Sequence, residues 1–257
     1  MFVQYLTSLA PEGETFLVVK QKPTLPLEFH ADGMIKATWP AYYPEKMRGE
    51  AAWYGNTACF IKDRFKEGRP SASAANCEHV LVAAFDDVGD PEKAPNICPL
   101  PPTWRMETSP GNYQWGYAFD LDAQPTKGAY RAAIRAMAAA GFTDPGAINA
   151  VRNFRLPGSI NLKPGKENFQ ARLVEFHPER EYTLEQLIEA TGVTVGEDED
   201  DSIVAIQLED DGGDDVLAWL SETGRLYSRR TVRAGRALSV RTLAHIRTAT
   251  QRPATCP

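Results

Sequence analysis

The sequence predicts an α+β fold, a domain of about 190 residues with a short C-terminal appendage. Three observations predict it. Short apolar or alternating segments of strand length recur between residues 16 and 176. Two stretches, 126–140 and 183–192, carry helical spacing with start and stop signals. Near residue 195 the composition turns abruptly acidic, which marks the end of the domain.

In chain order, residues 16–19 (FLVV) read as a buried strand ended by Lys22-Pro23. Residues 29–55 are irregular and aromatic, with Trp39, Tyr42, Tyr43, Trp53 and Tyr54, a loop and strand region. Residues 71–77 (SASAANC) are a helix end or loop. Residues 80–85 (VLVAAF) are continuously apolar, as in a central strand covered on both faces. That run stops at Asp86-Asp87, and five prolines make 90–102 a connection. Residues 104–108 and 113–120 flank Ser109-Pro110-Gly111-Asn112, a β-hairpin signature. Along 126–140, Tyr130, Ala133, Ile134, Met137 and Ala138 share one helical face, and Gly141 can stop the helix. Residues 154–161 form a strand-like piece broken by Pro157-Gly158, and 169–176 alternate as another strand. Thr183 and Gln186 make a capping-box pattern, with Gly192 closing the helix.

The domain is read as 1–195, followed by an acidic linker at 196–215 and a short helix at 216–224. Residues 225–257 carry eight Arg and no acid, which leaves residues 1–224 with 20 basic against 34 acidic residues. An acidic body argues against a protein that coats nucleic acid, although a local basic channel remains compatible with it. The basic tail reads either as a nucleic-acid arm or, the favoured reading, as a frameshift product whose last residues are disordered.

No apolar run approaches the about 18 residues of a membrane span, and the N-terminus has no secretory pattern. Cys59, Cys77, Cys98 and Cys256 form no CxxC pair and read as free thiols of a reducing cytoplasm. A zinc site from Cys77, His79 and Cys98 fits no common ligand spacing.

Chemistry concentrates in three places. Two carboxylates at the end of a buried strand, Asp86 and Asp87, are costly unless something positive lies between them, and a divalent metal such as Mg²⁺ is the usual reason. The Ser109–Gln114 turn offers Ser109, Asn112 and Gln114 as uncharged hydrogen-bonding groups. Gly111 there lets backbone N–H groups approach a ligand. In the third segment, residues 152–163 (RNFRLPGSINLK), Arg155 and Lys163 suit phosphates.

The order and spacing of these strings, above all ETSPGNYQ at 107–114 and RLPGSINLK at 155–163, resemble the archaeo-eukaryotic primase superfamily, in its RepB-type and phage primase-polymerase branch. The resemblance spans roughly residues 1–190 and implies an RRM-like core with a mixed β-sheet and flanking helices. It implies template-directed nucleotidyl transfer by two divalent ions in replication initiation of a phage, prophage or plasmid. Asp86, Asp87 and Asp144 would bind Mg²⁺ or Mn²⁺. Ser109, Gly111, Asn112, Gln114, Arg155, Asn161 and Lys163 would bind the NTP or dNTP. Single-stranded DNA is the implied template, a replicative helicase the implied partner, and the bacterial host cytoplasm the implied setting.

Two features depart from the family pattern. Its acidic pair is separated by one residue, whereas Asp86 and Asp87 are adjacent and a regular strand would point them to opposite faces. A bulge could turn both inward, or Asp90 could serve. Gln114 stands where many members have His. Asp120 and Asp122 are alternatives to Asp144 as the later acid. A second functional class is a degenerate primase-like module that only binds nucleotide or DNA. A rolling-circle initiator needs two His flanking one apolar residue, and His30, His79, His177 and His245 include no such pair.

Overall fold

The structure, a computed structural model, describes residues 1–23, 28, 36–163, 165–166 and 169–196. The expected helix at 216–224, the basic tail and all but the first residue of the expected acidic linker lie outside the described residues.

The fold is α+β. Its elements in chain order are α1 (Phe2–Ser8), β1 (Glu14–Lys20), β2 (Lys22–Pro23), β3 (Ala37–Thr38), β4 (Ala41–Tyr42), β5 (Trp53–Ile61), β6 (Cys77–Val80), β7 (Val82–Phe85), β8 (Trp104–Ser109), β9 (Asn112–Phe119), α2 (Lys127–Ala139), β10 (Asn153–Arg155), β11 (Arg172–Phe176), β12 (Glu181–Tyr182) and α3 (Leu184–Thr191). One five-stranded sheet runs β10-β5-β1-β4, with β6 on β5. The other runs β11-β8-β9-β12, with β7 on β9. The first is antiparallel throughout; the second is mixed, because β12 pairs with β9 in parallel.

The apolar run at 80–85 corrects one expectation. It is not a single central strand. It divides at Leu81, where the chain leaves one sheet for the other. The Leu81 N–H donates to the Thr57 carbonyl of β5, and the Leu81 carbonyl accepts from Phe119 of β9. Continuous burial is required on both sides of that crossing, so periodicity shows no break. In β7, Val82 and Ala84 pack into the core between the sheets with Phe16, Trp53, Trp104 and Phe154. Ala83 and Phe85 face the opposite way, against Tyr130, Ile134 and Met137 of α2 and Leu187 of α3. The run is therefore covered on both faces as expected, but β7 is an edge strand.

Local chemistry fixes most of the remaining elements. Pro110 and Gly111 form a two-residue turn closed by the Ser109–Asn112 pair, with Gly111 at φ 74° as a type II turn requires. The five α2 residues named from the sequence are the buried ones, and Thr126 caps the helix through the Ala129 N–H. Thr183 and Gln186 form the reciprocal capping box, and Gly192 ends α3 at φ 64°. Gly116 leaves room for the indole of Trp104, since a Cβ there would come within 1.8 Å of Cε2. Helix α1 was not legible in the sequence. It has no side-chain cap and buries only Phe2 and Leu6, so tertiary contact holds it.

Cys59, Cys77 and Cys98 are free and buried. Among the described residues no group of three metal-ligating side chains is gathered, and no helix is long and apolar enough to cross a membrane.

Candidate active site

The antiparallel pairing of β7 with β9 puts Phe85 opposite Trp115, so the chain leaves β7 beside the hairpin turn. The Val88 N–H donates to the Tyr113 carbonyl, which pins the residues after β7 to the hairpin. Asp86 and Asp87 therefore lie next to Asn112, as the sequence strings imply.

Neither strand alternation nor a bulge orients the acidic pair. The strand has already ended, and Asp87 takes a left-handed φ of 55°. Such a backbone is uncommon outside glycine and is held here by partners on both sides. The Asp86 N–H donates to the buried Thr143 hydroxyl, and the Asp86 carbonyl accepts from Asp144. Residues 143–144 are thereby docked against the end of β7, which brings the third expected acid to the first two.

Each carboxylate has a definite partner. Asp86 Oδ2 pairs with Arg152 at 2.9 Å. Asp87 Oδ1 accepts from the Asn112 amide at 2.7 Å, and Asp87 Oδ2 pairs with Lys93 Nζ at 2.6 Å. The same ammonium lies 4.0 Å from Asp144 Oδ2. Asp144 Oδ1 accepts from the Gly146 N–H and caps the turn Pro145–Ala147. Burial pushes the Asp87 carboxyl up, but the Lys93 and Asn112 hydrogen bonds outweigh it and hold the group below its usual range; Lys163 adds to this at longer reach. The Asp87 hydrogen bond raises the Lys93 ammonium in turn.

The alternative acids are engaged elsewhere. Asp90 accepts from the N–H groups of Glu92 and Lys93 and caps their turn. Asp120 and Asp122 follow the other end of β9, where Asp120 accepts from the Asp122 N–H.

The wall beside the acids is a buried network. The Gln114 carboxamide accepts the Arg155 N–H at 3.0 Å. Arg155 is 5% exposed, donates to the Ile160 carbonyl and to Asn161 Oδ1, and lies 4.9 Å from the centre of the Tyr54 ring. Burial lowers the affinity of its guanidinium for the proton. The Asn161 amide donates to the Thr108 carbonyl at 2.9 Å, and Asn161 Oδ1 also accepts the Lys163 N–H. Ser109 is buried, Gly111 sits at the hairpin tip with its N–H on Glu107, and Lys163 is exposed. Gln114, Arg155 and Asn161 thus join the hairpin to the 155–163 segment, and Lys163 is the exposed cation of that wall.

The structure joins Asp87 to Asn112 side chain to side chain and Asp86 to Asp144 through the backbone, with Lys93 between Asp87 and Asp144, and ties Gln114, Arg155 and Asn161 to the hairpin, but it gathers no three acidic side chains around one point among the described residues. Sequence reasoning missed Lys93, Arg152 and Thr143 as partners. Arg152 stood within the third string, three residues from Arg155, so a basic partner for the acids was there to be found. Nothing local marked Lys93, whose role depends on how the 87–94 turn folds back.

An all-carboxylate donor set suits a hard divalent ion such as Mg²⁺ or Mn²⁺. Asp87 and Asp144 share the Lys93 ammonium, at 2.6 and 4.0 Å, so a divalent ion would find two carboxylates there and would draw its remaining ligands from elsewhere.

A two-sheet α+β core with an acidic cluster beside a β-hairpin is the class of protein defined by this fold and site. No protein-family model matches the chain, and no curated protein does. Among solved structures, the chain is similar to the archaeo-eukaryotic primase domain of the cyanophage S-2L primase-polymerase. Identity is 16% and the TM-score 0.47, over 74% of this chain and 95% of that one. It is also similar to the catalytic domain of primase RepB′ in complex with initiator DNA, at 15% identity and a TM-score of 0.42, over 74% of this chain and 91% of that one.

Proposed function

We propose that this chain is a primase-polymerase domain that joins nucleotides on a single-stranded DNA template, in the replication of a phage, prophage or plasmid. One observation carries the reading. Asp86-Asp87 and Asn112, on strings that resemble the primase superfamily, and Asp144, from the segment before β10, come from separate parts of the chain and lie at one end of the second sheet.

Asp87 and Asp144, with Asp86 once it parts from Arg152, would hold Mg²⁺ or Mn²⁺. Bound there, divalent ions would activate the attacking hydroxyl and neutralise the leaving pyrophosphate. The protein's own share is positioning and charge. Asn112 holds one oxygen of Asp87 and fixes the other toward the cation position. Arg152 offsets the charge of Asp86 at 2.9 Å. Ser109 to Gln114 supply the floor for an NTP or dNTP. Arg155 and Asn161 hold that floor to the loop that presents Lys163 to the phosphates.

The test is primer synthesis on single-stranded DNA with Mg²⁺ or Mn²⁺ and either nucleotide set. Asp87→Asn and Asp144→Asn should each lower incorporation by about 100-fold or more while leaving the fold intact. Full synthesis by either variant would end the assignment. A second reading is a binding module without catalysis. It is favoured by the protein cations on the carboxylates, Arg152 on Asp86 and Lys93 on Asp87. Nucleotide or DNA binding with no metal-dependent incorporation in the unmutated chain would select it.

A further inference from the structure

We infer that the Lys93 ammonium is a built-in placeholder, holding the cation position between Asp87 and Asp144 and yielding it when a divalent ion binds. The inference rests on the metal-site reading above and adds to it a residue that competes with the ion.

The geometry has three parts. First, the Lys93 backbone is fixed. Asp90 Oδ1 accepts the Lys93 N–H, the Ala94 N–H donates to the Asp90 carbonyl, and the Gly89 N–H donates to the carbonyl of Ala94, which is fully buried. A tethered backbone keeps the side chain within reach of the site at high effective concentration. Second, the two sides of the contact differ in freedom. The Lys93 side chain is 49% exposed, whereas Asp87 is 12% and Asp144 24% exposed. The ammonium can therefore swing into water with its solvation restored while the carboxylates stay in place. Third, the contact answers a need. Asp87 and Asp144 share one ammonium, at 2.6 and 4.0 Å, and carboxylates that share a position repel unless a cation intervenes. A single positive charge satisfies that need only in part, so an ion of charge two displaces it.

A flexible lysine on a carboxylate pair also sets a threshold. Ion binding must first break the Lys93 contact, so apparent metal affinity is lower than the carboxylates alone would give. Lys163 provides a comparison, because its charge also acts on Asp87 from an exposed position with no hydrogen bond to it in the described contacts.

The experiment is Mn²⁺ binding to the full chain by calorimetry and electron paramagnetic resonance, with no nucleotide or DNA present. It uses the unmutated chain, Lys93→Met, Lys163→Met, Asp87→Asn, and Lys93→Met combined with Asp87→Asn. Lys93→Met should tighten Mn²⁺ binding about fivefold, the size expected for releasing one half-exposed ion pair. Lys163→Met should change it less than twofold, and Asp87→Asn should remove the gain. In parallel, Mn²⁺ should speed acylation of Lys93 in the unmutated chain, read by peptide mass spectrometry. Equal gains from Lys93→Met and Lys163→Met, or an unchanged Lys93 acylation rate in a chain that binds Mn²⁺, would overturn the placeholder and leave the metal site standing. No Asp87-dependent Mn²⁺ binding in any variant would overturn the metal site itself, and the placeholder with it.

Discussion

The carboxamide oxygen of Gln114 accepts the backbone N–H of Arg155 at 3.0 Å, 41 residues away along the chain. Both residues are buried, at 6% and 5% exposure, so this N–H depends on the side chain for its hydrogen bond. Gln114→Ala should destabilise the domain by about 1–3 kcal/mol, the cost of an orphaned buried donor. Urea denaturation measures it, and a shift within experimental error would show that the hairpin and the 155–163 segment are held by other contacts.

Gly116 makes a sharper prediction. The indole of Trp104 lies where a Cβ would be, within 1.8 Å, and Trp104 is completely buried. Neither the strand pair nor the ring can give without disturbing the core between the sheets. Gly116→Ala should cost about 3 kcal/mol or more, by overpacking. Shortening the partner should recover part of that loss, so Gly116→Ala with Trp104→Phe should melt above Gly116→Ala alone. A double variant no better than the single one would point to backbone strain instead of the clash.

How much of this was legible in the sequence depended on the range of the cause. The α2 face from Tyr130 to Ala138, the Pro110-Gly111 turn and the Thr183–Gln186 box are local, and the residues that cause them stand within a few positions of one another. The division at Leu81 was not legible, because a strand that changes sheets stays apolar through the crossing. Asp86 and Asp87 were legible as a costly pair, and so was their place beside the hairpin. Their orientation was not. It follows from Asp87 taking φ 55°, which is fixed by Lys93, Asn112 and the 143–144 backbone. Arg155 and Lys163 look alike as cations in the sequence. Tyr54, which comes from β5 and packs on Arg155, is what separates the buried one from the exposed one.

The Asp86–Arg152 pair joins the end of β7 to the segment before β10 at 2.9 Å, with side chains 23% and 20% exposed. Arg152 also donates to the Gly146 carbonyl, so one guanidinium ties the acidic cluster together. A double-mutant cycle of Asp86→Asn and Arg152→Met should give a coupling of about 1 kcal/mol. A coupling near zero would mean that the pair is an incidental contact.

The last prediction concerns acid. The folded state holds the Asp87 carboxyl below its ordinary value of 3.8, because the hydrogen bonds from Lys93 and Asn112 outweigh the burial that opposes them. The ionised form is thus bound more tightly by the folded chain than by the unfolded one. Its stabilisation is complete above the unfolded value and is lost as pH falls through the lower, folded value. Lys93→Met removes the larger of the two lowering contacts and leaves burial in place, so the Asp87 carboxyl should rise. The variant should therefore be less stable than the unmutated chain at about pH 6, and the difference should be smaller at about pH 3, below the ordinary value of 3.8. Chemical denaturation at the two pH values measures this. A stability difference that is the same at both would assign the effect of Lys93 to the packing of its methylene chain instead of to its charge.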